Sequence, residues 1–229
     1  MSLPQIVTRA QWVAARESLL VEEKAVTRAR DGLNARRRAL PMVEVVTEYV
    51  FEGPDGKVAL RDLFEDREQL VVYHFMFGPE QDTGCAGCSG FLDQIGNLAH
   101  LRARGTAFAA VSRAPFTKLL PFKARMGWTL PWYSSYVCDF NADFGATVPA
   151  GDRPVERAGV SCFLRHGERL FHTYSTFDRG LDGLGSTTSL LDLTALGRQE
   201  EWEEPRGRAL VRRVRDGKGW LRHHDDYDD

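Results

Sequence analysis

Leu70-Val71-Val72-Tyr73-His74-Phe75-Met76-Phe77 is followed, across a loop from Gly78 to Gly84, by Cys85-Ala86-Gly87-Cys88 and then by Phe91, Leu92, Ile95, Leu98 and Leu101. The first run is apolar at odd and even positions alike, as a central strand covered on both faces must be. The later apolar residues recur at helical spacing and predict a helix over 88–104. Thr106 to Ser112 is apolar and short again, so a second buried strand completes a βαβ unit with the cysteine pair at its strand-to-helix junction.

Upstream, residues 9–39 read as one helix, with Trp12, Leu19, Leu20, Val26 and Leu33 recurring among charged residues, Thr8 as N-cap and Pro41 as the stop. This arm is expected to pack on its own domain or on a second copy, which would make a homodimer through the N-terminal helix. Val43 to Phe51 is β-like, Gly53-Pro54-Asp55-Gly56 supplies a turn, and Asp62-Leu63-Phe64 suggests a short helical turn. Downstream, Phe116 to Met126 reads as a helix, Trp128 to Tyr136 as an ordered aromatic loop, and Gly145 to Gly159 as a surface excursion. Val160 to Leu164 and Arg169 to Tyr174 alternate like strands about the turn His166-Gly167-Glu168, and Ser186 to Leu196 is a closing helix ending near Gly197. The order predicts an α/β fold: a mixed β-sheet with helices on both faces, flanked by an N-terminal helical arm and a C-terminal extension. The expected divisions are 1–42 for the arm, 43–197 for the domain and 198–229 for the charged extension.

With 229 residues, 43% of them hydrophobic, the chain can bury a core without disulfide staples, so its four cysteines need another explanation. No apolar stretch is long enough to cross a bilayer, and Met1-Ser2-Leu3-Pro4-Gln5 does not open like a signal peptide. Both features read as cytoplasmic, where thiols stay reduced. A formal net charge of −2 gives no general reason to bind nucleic acid or an anionic membrane. The basic runs from Lys24 to Arg38 and from Arg206 to Arg222 read as solvated faces, and His223-His224-Asp225-Asp226 as a solvated tail.

A Cys-x-x-Cys at a helix start suits thiol chemistry because one helical turn brings the sulfurs within bonding distance. The free N–H groups and positive dipole end there also stabilise a thiolate at the first cysteine. Cys85 is therefore the expected nucleophile and Cys88 the resolving thiol, with inert thiols as the competing reading. Zinc would need two further ligands, and Cys138 and Cys162 belong to no second pair, so both are read as packed thiols. No metal or other cofactor is expected. Pro79, Thr83 and Cys85 resemble the peroxiredoxin pattern one residue short, with Arg113 as the candidate thiolate-stabilising arginine. His74 is either a satisfied core histidine or a site-lining residue. His172 and Tyr174, in the hydroxyl-rich strand Phe171-His172-Thr173-Tyr174-Ser175-Thr176, are further lining candidates, as is Trp132 among Trp128, Tyr133 and Tyr136. Asp139, Asn141 and Asp143 fit turn formers better than a calcium loop, since Ala150 stands where the twelfth-position carboxylate would be.

The phrases Tyr73-His-Phe-Met-Phe-Gly-Pro79, Gly84-Cys85-x-x-Cys88-Ser89, Ala110-Val-Ser-Arg-Ala-Pro115, Asp143-Phe-Gly145 and Arg179-Gly-Leu-Asp182 together resemble a bacterial domain family of unknown function, the one numbered 899. The resemblance runs over nearly the whole chain. It implies a thioredoxin-like fold, near the alkyl hydroperoxide reductase and thiol-specific antioxidant group. Three departures from ordinary thioredoxins accompany it: Ala86-Gly87 replaces Gly-Pro between the cysteines, no tryptophan precedes Cys85, and Arg157-Ala158-Gly159 carries no proline before the later strand. Three functions stay open. They are a thiol-disulfide oxidoreductase acting on a thiol or disulfide protein partner or a small-molecule oxidant, a peroxide reductase, and a non-catalytic thioredoxin-like module holding a ligand or subunit.

Overall fold

The computed structural model describes residues 4–151, 153–200, 202–205 and 221–227. They fall into two compact units, one drawn from Met1–Pro41 and Leu191–Val211, the other from Met42–Leu190 and Arg212–Asp229. The basic run from Arg206 to Lys218 lies outside the described residues.

In the first unit, α1 (Arg9–Arg38) starts at a capping box. Thr8 accepts from the Gln11 amide, and the Gln11 side chain accepts in return from the Thr8 amide. The helix has no buried residue. Trp12, Leu19, Val26 and Leu33 are all at least 39% exposed, so the periodic apolar positions do not mark a buried face.

The second unit is built on an eight-stranded mixed sheet in the order β1-β10-β9-β4-β5-β6-β2-β3. Its strands are β1 (Val43–Glu44), β2 (Val50–Gly53), β3 (Gly56–Ala59), β4 (Gln69–His74), β5 (Thr106–Ser112), β6 (Trp132–Ser134), β9 (Gly159–His166) and β10 (Arg169–Phe177). Between β6 and β9, β7 (Thr147–Ala150) and β8 (Arg153–Glu156) form a separate hairpin. The helices of this unit are α2 (Ala86–Leu92), α3 (Ala99–Arg102), α4 (Phe116–Arg125), α5 (Phe140–Asp143) and α6 (Ser186–Leu191). β4 and β5 run parallel, β9 is antiparallel to β4, and β10 returns antiparallel along β9. This β5-β4-β9-β10 order around one βαβ unit is the thioredoxin-like arrangement.

Strand alternation sorts the core into two layers. Tyr73, Phe108, Ala110, Trp132 and Val160 face Cys88 and Leu92 of α2 and Leu119 and Phe122 of α4. Leu70, Val72, Ala107, Ala109, Val111 and Phe163 face the other way, onto Phe140 of α5 and a 3-10 turn at Asp62–Phe64. Helical segments thus cover both faces.

Several elements differ from the sequence reading. The helix expected over 88–104 is two short pieces, because α2 stops at Leu92 and the Asn97 side chain caps the Ala99 amide that begins α3. The aromatic loop contains β6, which pairs in parallel with β5. The surface excursion contains the β7–β8 hairpin. Its Pro149 and Pro154 sit opposite each other in a two-stranded ribbon whose outer edges need no donor. The β-like stretch from Val43 is interrupted between β1 and β2, and the closing helix ends at Leu191 rather than Leu196.

Candidate functional site

After β4 the chain keeps contact with the sheet: the Phe75 amide donates to Val111 O at 2.9 Å, and the Ala114 amide to Phe77 O at 2.7 Å. The loop that follows is tied down by Lys118, whose Nζ donates to Pro79 O at 2.9 Å and Gln81 O at 2.8 Å. Gly84 then threads between two rings. A Cβ there would lie 2.6 Å from Phe75 and 2.9 Å from Phe122, so only glycine fits without moving them. Phe75 and Phe122 belong to an aromatic cluster with Trp128 and Trp132, with ring centroids 4.7 to 6.2 Å apart.

This threading sets Cys85 at the N-cap of α2, in extended backbone, with its own amide donating to Met76 O at 3.1 Å. Its carbonyl accepts from the Ser89 amide and hydroxyl, both at 2.9 Å, which fixes the first turn. Cys85 is partly exposed and Cys88 is 1% exposed. Behind the pair, the Met76 amide donates to Cys88 Sγ at 3.4 Å and the buried Tyr73 hydroxyl also faces that sulfur.

The electrostatics divide the two sulfurs. Cys85 is brought down to about 6 from an ordinary 9.0, chiefly by the Cys88 thiol donating to it. The backbone amides of Cys88 and Gly87 and the nearby His223 act in the same sense, against the cost of burial. Cys88 is pushed well up, first because its proton is held on Cys85 and second because it is buried. Tyr73 is pushed up by burial before any charge, so it stays a neutral donor. Both shifts act in one sense: they favour the thiolate on Cys85 and the proton on Cys88.

The remaining sequence candidates do not gather here. His74 extends to the opposite face of the sheet. Its Nε2 lies 2.8 Å from Ser161 Oγ, Ser161 meets Ser175 at 2.7 Å, and Ser175 meets His172 Nε2 at 2.8 Å. This chain of two histidines and two serines is packed among Phe140, Phe144, Phe163 and Phe177. Burial lowers His74 to about 3 and also lowers His172, so the imidazoles are neutral. The site-lining reading of His74 and His172 is therefore corrected: they brace the other layer. Tyr174 pairs across the strands with Cys162 and stands outside the thiol site's lining. Trp132 is buried beneath the loop, its Nε1 donating to Ser112 Oγ at 3.0 Å, and it borders the site through Phe75 and Phe122.

Thr83 is exposed on the loop. Arg113 pairs with Glu156 at 2.7 Å, and Glu156 also accepts from Thr147 at 2.8 Å. The guanidinium expected to hold the thiolate is thus engaged with a carboxylate, and it is not among the groups that lower Cys85. Burial raises Cys138 and Cys162. Asn141 and Asp143 serve structure, accepting from Ser135 at 2.8 Å and Tyr49 at 2.6 Å. Among the described residues no group of three or more His, Cys, Asp or Glu side chains is placed to hold a metal ion.

The sequence reading missed the C-terminal segment 221–227, taken there for solvated tail. His223 is 8% exposed, with Nε2 2.9 Å from Gly84 O. With Leu221 and Tyr227, this segment walls a cleft of about 540 Å³ that runs along α2 past Cys88, Met76, Phe91 and Leu181. The available signal was the 223/226 spacing, which sets a histidine and an aspartate on one side of a turn.

A family model described as a bacterial protein of unknown function (DUF899) matches residues 1–227. No curated protein matches. Among solved structures, peroxiredoxin Q of Xanthomonas campestris is 14% identical with a TM-score of 0.49, over 63% of this chain and 93% of that one. The peroxidoxin BcpB of Mycobacterium tuberculosis is 15% identical with a TM-score of 0.45, over 60% and 86%. A putative protein disulfide isomerase of Bacteroides thetaiotaomicron is 19% identical with a TM-score of 0.42, over 63% and 88%. Likeness this distant bears on neither activity nor substrate. No helix among the described residues is long and apolar enough to cross a membrane.

Proposed function

We propose that this chain, which belongs to the bacterial family of unknown function DUF899, is a thiol-disulfide oxidoreductase with Cys85 as nucleophile and Cys88 as resolving thiol. The observation that carries the reading is the asymmetry of the two sulfurs. One is partly exposed and lowered to about 6; the other is buried, raised, and held by donors from behind. Burial alone would raise both thiols, as it raises Cys138 and Cys162, whereas lowering the exposed member against that cost suits a nucleophile for exchange.

In the forward direction the Cys85 thiolate attacks one sulfur of a disulfide R–S–S–R′, forming Cys85–S–S–R and releasing R′S⁻. Cys88 then gives up its proton and attacks the Cys85 sulfur, closing the intramolecular disulfide and releasing RS⁻. Two electrons pass from the dithiol to the substrate, and an external thiol reductant restores the pair. The resting hydrogen bond from Cys88 to Cys85 favours the first step's thiolate and is broken when Cys85 forms the mixed disulfide. Cys88 then loses the charge that held its proton, which eases the second step. The cleft along α2 is a route for the R group, since Gly87, which lines it, lies against Cys85 Sγ.

The test uses a small aromatic disulfide as substrate. Cys85→Ser abolishes turnover, while Cys88→Ser accumulates a mixed disulfide on Cys85 that is seen as added mass. Equal turnover in the two variants refutes the reading. Peroxide reduction has less support, because Thr83 is exposed and Arg113 is paired with Glu156.

A further inference from the structure

We infer that His223, brought onto the thiol loop by the C-terminal segment 221–227, is a built-in cation that holds Cys85 as a thiolate, and so is a positioning residue for the dithiol. This rests on the dithiol reading above and adds the source of the charge.

The segment is anchored on both helices that flank the pair. Arg125 of α4 donates to Asp225 at 2.7 and 2.9 Å and to Asp226 at 2.9 Å. His224 meets Asp93, the C-cap of α2, at 2.9 Å, and the same carboxylate accepts from Trp128 Nε1 at 2.7 Å. Leu221 lies over the bare backbone of α2, where a Cβ on Gly87 or Gly90 would touch it at 3.5 and 3.6 Å. Between these anchors the His223 ring is buried edge-on against Phe122, with centroids 5.4 Å apart.

What the ring faces determines its protons. Nε2 lies 2.9 Å from the carbonyl oxygen of Gly84, and Nδ1 lies 3.2 Å from Oδ2 of Asp226. A carbonyl has no proton to give, and the Asp226 carboxylate is already accepting from Arg125. With one proton, the ring would point a lone pair at an acceptor on one side. With two, both contacts become hydrogen bonds, so the arrangement is complete only as an imidazolium. That cation is bonded to the residue directly before Cys85.

The charged and titratable groups around it are Arg222, His224, Asp225, Asp226 and Tyr227 on its own segment, Arg125 on α4, Asp93 on α2, and the two cysteines. Arg125 offsets the aspartates, and His224 is turned toward Asp93. His223 is the group among these whose charge favours the Cys85 thiolate. It takes the role that the sequence assigned to Arg113.

The test compares full-length reduced wild type with H223N, whose amide can donate to Gly84 O without carrying charge. The readout is the rate of Cys85 alkylation by iodoacetamide against pH, followed by mass on the Cys85 peptide. A unit charge beside a partly buried thiol moves it by up to about one pH unit. The H223N midpoint therefore rises, and the rate at pH 6 falls about twofold. The plateau at high pH rises about threefold, because a more basic thiolate is a better nucleophile. Such crossing curves are not produced by simple exposure or closure of the site, which moves both limbs together. Coincident profiles overturn the inference.

A second measurement needs no substitution: the imidazole ¹⁵N shifts of His223 in wild type at pH 7. Two protonated nitrogens support the inference, and one protonated nitrogen overturns it, whatever H223N does to folding. Neither readout uses turnover. A Cys88→Ser protein that traps no mixed disulfide therefore refutes the oxidoreductase while leaving this result to stand or fall separately.

Discussion

Replacing Cys88 with alanine removes the thiol that does most to lower Cys85, and the size of the effect can be worked out in advance. A thiol titrating at about 6 is roughly 50% thiolate at pH 6, while one at the ordinary 9.0 is about 0.1% thiolate there. The ratio is about 500. Nucleophilicity falls with basicity, with a Brønsted coefficient of about 0.45, so three pH units cost the low thiol about a factor of 20 in intrinsic rate. The net advantage of wild-type Cys85 over an ordinary thiol is then about 20-fold at pH 6 and only about fourfold at pH 7. Alkylation by iodoacetamide, resolved by peptide mass from pH 5 to 9.5, should give a wild-type midpoint near 6. In Cys88→Ala the midpoint moves toward 9.0 and the advantage at pH 6 shrinks, while Cys88→Ser, which keeps an O–H donor, falls between. A Cys88→Ala profile superimposable on wild type would refute the claim that one sulfur sets the other.

The same shift predicts the pH dependence of stability. A lowered Cys85 stabilises the reduced fold fully above the unfolded thiol's value near 9 and loses that contribution as pH falls toward 6, so reduced protein is more stable at pH 8.5 than at pH 6. Allowing for partial exposure, the Cys85 contribution is about 2 kcal/mol by urea unfolding, and the pH 8.5-to-6 difference shrinks by that amount in Cys85→Ala, leaving the smaller part that comes from buried, neutral His74. Gly84→Ala must push the rings of Phe75 and Phe122 apart, costing about 1–3 kcal/mol, and an unchanged melting temperature would contradict the packing described. Arg113→Ala frees Glu156 and lowers stability but leaves the Cys85 alkylation profile where it is; a shifted profile would return Arg113 to the site. Ser161→Ala leaves His74 Nε2 buried without its partner, costing about 1–3 kcal/mol in denaturant unfolding with no change in thiol reactivity.

The elements that carry the pair were legible because each has its own local signature. β4 and β5 are unbroken apolar runs, and Thr8, Gly53–Gly56 and Gly167 mark ends and turns by side-chain and backbone chemistry. The over-long helix had a physical cause: Phe91, Leu92, Ile95, Leu98 and Leu101 keep helical spacing straight through Gly96 and Asn97, where the backbone in fact turns. β6 is three residues long and takes its identity from pairing with β5, which no local pattern announces. The two readings of His74 could have been separated at once, since alternation alone puts it opposite Tyr73 and Phe75 and therefore away from the thiols. His223 was illegible because its role depends on a contact with Gly84, 139 residues earlier.

The aromatic cluster under the loop has an optical consequence. Trp128 and Trp132 are two of the five indoles in the chain, and both pack, one edge-on and one tilted, against Phe75, the ring against which Gly84 is wedged. A disulfide is a strong quencher of indole emission, while a protonated thiol and a thiolate quench to different degrees. On the dithiol chemistry proposed above, oxidation of the pair is expected to register as a change in brightness. That chemistry could then be followed in a cuvette without a label, in real time and while a candidate reductant is titrated in.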